Sequence, residues 1–205
     1  MISAAAPGAG DRTTFGAGLR TLAAAVLLVG TLSACSDGDS PPSRDDGSSS
    51  RDAALEVELA SGTAGLDTQE QSAVQNAIGD VLSQYVVDGF LGDYPREDFV
   101  KSLDDFTARA ARGAARDIEL LTAARFARSD GVRAKKLLAR ISCLTVAGEV
   151  VGATAHVDFA FEVSHGKATP QPVTLRGRFL LDQENGQWSI FGYDVLRDDA
   201  ERVGS

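Results

Sequence analysis

The chain has 205 residues, of which 43% are hydrophobic, so it is long enough for one domain with its own core. Its formal charge is −9, from 29 acidic and 20 basic residues. An acidic chain is poorly suited to nucleic acid, because phosphates attract a concentration of lysine and arginine. The same charge disfavours attachment to an anionic lipid surface by electrostatics alone. Any attachment to a membrane therefore requires an apolar segment or a covalent lipid.

The N-terminal region has the pattern of a secretory signal. Arg12 and Arg20 precede an uncharged, largely apolar stretch over residues 21–34. This stretch is shorter than the roughly 20 residues that a helix needs to span a bilayer. A positively charged segment followed by a short apolar one is typical of a signal peptide for secretion.

The apolar stretch ends in four residues that resemble the bacterial lipobox: Leu32, Ser33, Ala34 and Cys35. In a lipobox, small side chains enter the peptidase cleft and the cysteine thiol accepts a diacylglyceryl group. The resemblance implies that residues 1–34 are a cleaved signal peptide and that Cys35 carries the lipid. Two or three acyl chains, at ~0.8 kcal/mol per buried methylene, hold a protein firmly on a membrane. We therefore predict a lipoprotein anchored on the extracytoplasmic face of the cell membrane, the alternative being an ordinary signal peptide or an uncleaved anchor.

The segment after the cysteine has the composition of a tether. Residues 36–51 are mainly serine, aspartate, proline and glycine, and they include no hydrophobic residue. Such a segment cannot bury enough apolar surface to offset its ordering entropy. We predict a lipidated cysteine and flexible tether over residues 35–66. Within it, Leu55, Val57 and Leu59 alternate with glutamates, which fits either a strand or a partly ordered lead-in.

The folded domain is predicted over residues 67–205 and begins with three helices. Asp67 and Glu70 have the spacing of a capping box, and apolar residues then recur every three or four positions as far as Val86. A short second helix is predicted to have three apolar residues on one side: Phe99, Leu103 and Phe106. The alanine- and arginine-rich residues 108–127 are predicted to form the third helix.

After Gly131 the hydrophobic period changes to two, which predicts about four strands. The predicted strands cover residues 133–147, 150–163, 173–182 and 187–196. Helices followed by an antiparallel meander predict an α+β fold in which the helices cover one face of the sheet.

The order of three helices and about four strands, closing in the sequence QWSIFGYDV, resembles the nuclear transport factor 2-like superfamily, which includes SnoaL-like domains. The resemblance covers roughly residues 67–197. It implies a curved antiparallel sheet that wraps the helices into a cone with a pocket. Four aromatic residues are the candidate pocket residues: Tyr85, Tyr94, Trp188 and Tyr193.

The amino-acid composition also bears on the source of the protein. The bias toward alanine, arginine and glycine over lysine is typical of a high-GC actinobacterium.

His156 and Asp158 share one face of a predicted strand, because they are two residues apart. An imidazole near a carboxylate can act as a general base, and isomerases and dehydratases of the superfamily use acidic and histidine residues in their cone. Phe159 and Phe161, however, indicate that the opposite face of this strand is the core. The pattern therefore favours a solvated or interface face for His156 and Asp158.

Arg176 and Arg178 occupy the charged face of the next predicted strand. They are predicted to form cross-strand ion pairs with acidic residues such as Asp158, or to belong to a homodimer face. Cys143 is predicted to be buried and inert, because no basic neighbour that would activate its thiol is evident.

The sequence contains no glycine-rich phosphate loop and no HExxH, CxxC or GxSxG motif, and no third metal ligand accompanies His156 and Asp158. We therefore expect neither a cofactor nor a metal. The leading hypothesis is a non-enzymatic envelope module that binds a small apolar ligand or a protein partner. The alternative is an isomerase- or dehydratase-type enzyme with titratable residues in its cone.

Overall fold

The structure is a computed structural model, which describes residues 53–199. The predicted signal peptide, the lipobox-like residues and the first part of the predicted tether lie outside the described residues. The elements are β1 (Leu55–Ser61), α1 (Thr68–Phe90), α2 (Ala108–Ala114), α3 (Ile118–Leu121), β2 (Gly131–Val146), β3 (Glu149–Ser164), β4 (Gln171–Glu184) and β5 (Gln187–Asp198). Two short 3-10 helices cover Phe99–Leu103 and Ala123–Phe126. The predicted α+β class is confirmed.

One sheet contains all five described strands in the order β1-β2-β3-β4-β5. Neighbouring strands from β2 to β5 are antiparallel, whereas β1 is parallel to β2. The prediction of about four antiparallel strands is therefore corrected to a five-stranded mixed sheet. The additional strand lies in the segment that we placed in the tether, where Leu55 and Val57 are half-buried and Glu56 and Glu58 are exposed.

Helix α1 has the start that its sequence predicts. The Asp67 side chain accepts a hydrogen bond from the Glu70 amide, and the Glu70 side chain accepts one from the Asp67 amide, both at 2.8 Å. At the other end the Arg96 guanidinium donates to the carbonyls of Asp88 and Leu91. These bonds satisfy donors and acceptors that a helix end leaves without partners.

The predicted third helix is interrupted, and the prediction of one continuous helix over 108–127 was wrong. Thr122 has an extended backbone, with φ −138° and ψ 178°. Its hydroxyl donates to the Ile118 carbonyl and accepts from the Ala124 amide, so it ends α3 and starts the following 3-10 helix. Between α2 and α3, the Asp117 carboxylate accepts a 2.7 Å hydrogen bond from the Tyr193 hydroxyl on β5. A tertiary contact and a side-chain cap thus override helix propensity.

The core lies between the helices and one face of the sheet, which we call the inner face. Phe90 of α1 stacks on Phe161 of β3, with ring centroids 4.2 Å apart and an interplanar angle of 2°. Tyr85 meets Phe179 of β4 at 4.9 Å, and the Tyr85 hydroxyl donates to the Leu121 carbonyl. Aromatic side chains therefore occupy the middle of the space between helix and sheet.

Candidate functional site on the outer face of the sheet

The sheet face opposite the helices, called the outer face here, carries a charged network centred on Asp158. Lys136 Nζ lies 2.6 Å from Asp158 Oδ2, and Arg176 Nε lies 2.8 Å from Asp158 Oδ1. These two hydrogen bonds lower the pKa of the Asp158 carboxyl, and the bond from Lys136 has the larger effect. The carboxylate is thus stabilised as an anion, which does not suit a general base that must accept a proton near neutral pH.

A second row of charges crosses the same face at His156. Its cross-strand neighbours are Arg140 on β2 and Arg178 on β4. Arg140 pairs with Glu58 at 2.8 Å, and Arg178 pairs with Asp194 at 2.9 Å. His156 is exposed between the two arginines. The two rows form a band of both charge signs across the sheet, which we call the charged band.

Beside the charged band, toward the β2–β3 and β4–β5 turns, the outer face becomes apolar. Exposed side chains there include Leu144 (61%), Val151 (40%) and Phe191 (47%), and we call these three the apolar patch. They line a groove of about 550 Å³ together with residues of β2, β3 and β4 that include Cys143 and Leu180.

Glycines and a change of register shape this groove. Gly152 pairs with Leu144, and Gly192 pairs with Leu180, so each leucine faces a strand position without a side chain. The register of β4 and β5 shifts between Leu180 and Leu181, which leaves Phe191 as an extra residue. Such a bulge redirects side chains, and it gives Phe191 an exposed position next to buried Ile190.

The four candidate pocket residues do not line the groove. Tyr85 and Trp188 are buried in the core, with 1% and 4% of their surface exposed. The Tyr94 hydroxyl donates to the Phe90 carbonyl at 2.7 Å, and burial raises its pKa to about 12. Tyr193 donates to the Asp117 carboxylate, as described for the break between α2 and α3. The described contacts of these residues are therefore structural.

The described region also holds titratable and potentially metal-ligating side chains away from the charged band. Burial, followed by the charges of Asp104 and Asp88, raises the pKa of the Asp105 carboxyl. His156 and His165 are exposed. No group of three metal-ligating side chains is present within the same range. Cys143 is half-buried rather than buried, and burial raises the pKa of its thiol.

Comparison of the chain with protein family models, curated proteins and solved structures finds no match. The resemblance to the nuclear transport factor 2-like superfamily therefore stays a prediction from the order of the elements. No helix within residues 53–199 is both long and apolar enough to cross a bilayer.

Proposed function

We propose that the protein is a lipoprotein, anchored through Cys35 on the extracytoplasmic face of the cell membrane, whose domain binds a protein partner through the outer face of its sheet. The anchor is inferred from the lipobox-like residues Leu32 to Cys35 and the apolar stretch before them. The binding role is inferred chiefly from the apolar patch.

The apolar patch has the composition of a contact surface. Leu144, Val151 and Phe191 lie together on a groove, and clustered large apolar side chains on a protein surface commonly mark interaction sites. The charged band provides the polar rim that usually surrounds the apolar centre of an interface. Its two charge signs favour a partner with a complementary pattern, because juxtaposed like charges oppose binding.

A protein partner suits this site better than a small apolar ligand. Small-molecule sites usually bury 70–90% of the ligand in a concave pocket. Here the groove lies on the surface of the sheet, while rings such as Phe90 and Phe161 fill the middle of the core. The alternative of an isomerase- or dehydratase-type enzyme gains no support from Asp158, whose carboxylate is held as an anion.

Site-specific photo-cross-linking in bacterial cells that produce the full chain tests the binding role. We expect a photoreactive residue at position 191 to give a discrete protein adduct, because Phe191 is exposed in the apolar patch. The same residue at position 100 is the matched control, since Val100 is 62% exposed on the 3-10 helix. It should not give that adduct.

A second variant links the adduct to the chemistry of the patch. With the cross-linker at position 151, Leu144→Asp should reduce the adduct at least roughly tenfold, because a charge would be desolvated in the interface. An adduct with twice the mass of the chain would identify the partner as a second copy, that is, a homodimer. Absence of any discrete adduct from position 191 or 151 would contradict the proposed binding role.

A further inference from the structure

A second polar site lies on the inner side of the sheet around Arg197, near the end of β5. The side chain of Arg197 is only 4% exposed, and arginine is almost never fully buried unless it is paired. Its Nη1 group donates to the carbonyls of Glu119 and Thr122. Its guanidinium carbon lies 5.0 Å from the centre of the Phe126 ring. These contacts fix both the position and the plane of the guanidinium.

One part of this guanidinium has no acceptor among residues 53–199. The Nη2 atom is buried and donates a hydrogen bond to none of these residues. Leaving a buried donor without a partner is unfavourable, and more so when the donor is charged. The contacts of Nη1 and of the Phe126 ring therefore hold the guanidinium in place, while the N–H groups of Nη2 donate to no described residue.

The acidic partner of Arg197 is shared with a second arginine. One carboxylate oxygen of Asp199 accepts from Arg197 Nε, and the other lies 2.9 Å from Arg125 Nη1. Arg125 is 57% exposed, so this arginine reaches the surface. Glu119 and Leu120 line the same depression, which has a volume of about 320 Å³.

We propose that this depression, called the arginine site, binds a small carboxylate with a short apolar tail, and that Asp199 is an internal occupant that the ligand displaces. The two guanidinium groups already hold a carboxylate in a bridging position. Arginine recognises planar carboxylates because its N–H donors are arranged in a fixed fork. Asp199 lies one residue beyond β5, so its departure breaks no strand pairing.

The charges and the walls of the site select the class of ligand. Two arginines and two acidic residues line the site, so a multiply charged phosphate in place of Asp199 would leave excess negative charge there. A single carboxylate that replaces Asp199 keeps the charge unchanged. Leu120 supplies an apolar wall for a short alkyl tail.

Calorimetric titration of the full-length chain in a non-ionic detergent tests the arginine site, with butyrate as the probe at constant ionic strength. Removing the internal competitor with Asp199→Asn should tighten butyrate binding at least roughly tenfold, because a tethered carboxylate has a high effective concentration. The double variant Asp199→Asn/Arg125→Gln should lose this gain. Asp194→Asn is the matched control, because it removes an exposed carboxylate paired with Arg178 and should produce no gain.

A wild-type measurement keeps the proposal testable even if Asp199→Asn does not fold. Titration with butyrate should shift the NMR signal of the Arg197 Nε–Hε group in a saturable way and leave that of Arg178 unchanged. Absence of a saturable shift at Arg197 would overturn the proposal. So would tighter binding of phosphate than of butyrate, or an equal gain in Asp194→Asn.

Discussion

Replacement of Phe161 by alanine is expected to lower the free energy of unfolding by about 3–5 kcal/mol, the range for truncating a buried phenylalanine. Phe161 is 1% exposed and stacks on Phe90 of α1. Alanine would remove this ring contact and leave a cavity between α1 and β3, because packed interiors relax only partly around a lost side chain. Equilibrium unfolding of the full-length chain in urea, followed by tryptophan fluorescence, measures the change.

Phe191→Ala is the matched control for this prediction, since it makes the same chemical change on the outer face. Phe191 is 47% exposed, and we expect a loss of less than about 1 kcal/mol. Equal effects of the two substitutions would contradict the assignment of the inner face as the core.

Replacement of Gly177 by alanine is expected to cost about 2–4 kcal/mol, a large effect for the addition of one methyl group. Gly177 lies in β4 with φ +142°, a conformation that residues with a side chain rarely adopt. A Cβ atom there would lie 2.2 Å from the Asp194 carbonyl oxygen and 2.7 Å from Val195 Cα. Both atoms belong to the backbone of β5, so the strand itself would have to move.

Gly131→Ala provides the control for the Gly177 substitution. Gly131 is at the start of β2, and a Cβ atom there would meet no atom within 4 Å. We expect a change within about 1 kcal/mol, of either sign. A tolerated Gly177→Ala in the same urea experiment would show that β4 and β5 are not as close as the structure places them.

Features that depend on neighbouring residues were predictable from the sequence. The capping box of Asp67 and Glu70 is local, and both of its hydrogen bonds are present. The four antiparallel strands were predicted within two residues of their observed ends, because each contains a stretch in which apolar and polar residues alternate. The alternation also placed Asp158 and Arg176 together on the face away from the core.

Features that depend on distant contacts were not predictable in the same way. The pairing of β1 with β2 joins residues far apart in sequence, such as Leu55 and Leu137, and no local pattern specifies it. The break between α2 and α3 involves the hydrogen bond from Tyr193 to Asp117, which the amphipathic pattern of 108–127 does not reveal.

The sequence analysis did not identify two residues of the candidate sites, Phe191 and Arg197. The bulge at Phe191 interrupts the alternation of β5, and the adjacent apolar pair Ile190 and Phe191 was its only sequence signal. Beyond the bulge, alternation continues from buried Val195 to Arg197. An arginine at a core position of a strand was thus a sign of a buried polar site, although its partners could not be read from the sequence.

The intact mass of the protein extracted from membranes tests the proposed anchor most directly, measured beside a Cys35→Ala variant. We predict a mature chain that begins at Cys35 and carries the added mass of a diacylglyceryl group and an acyl chain. Because the thiol at position 35 is the acceptor, the variant should lack this mass. An unmodified wild-type chain that begins at another residue would contradict the lipoprotein assignment.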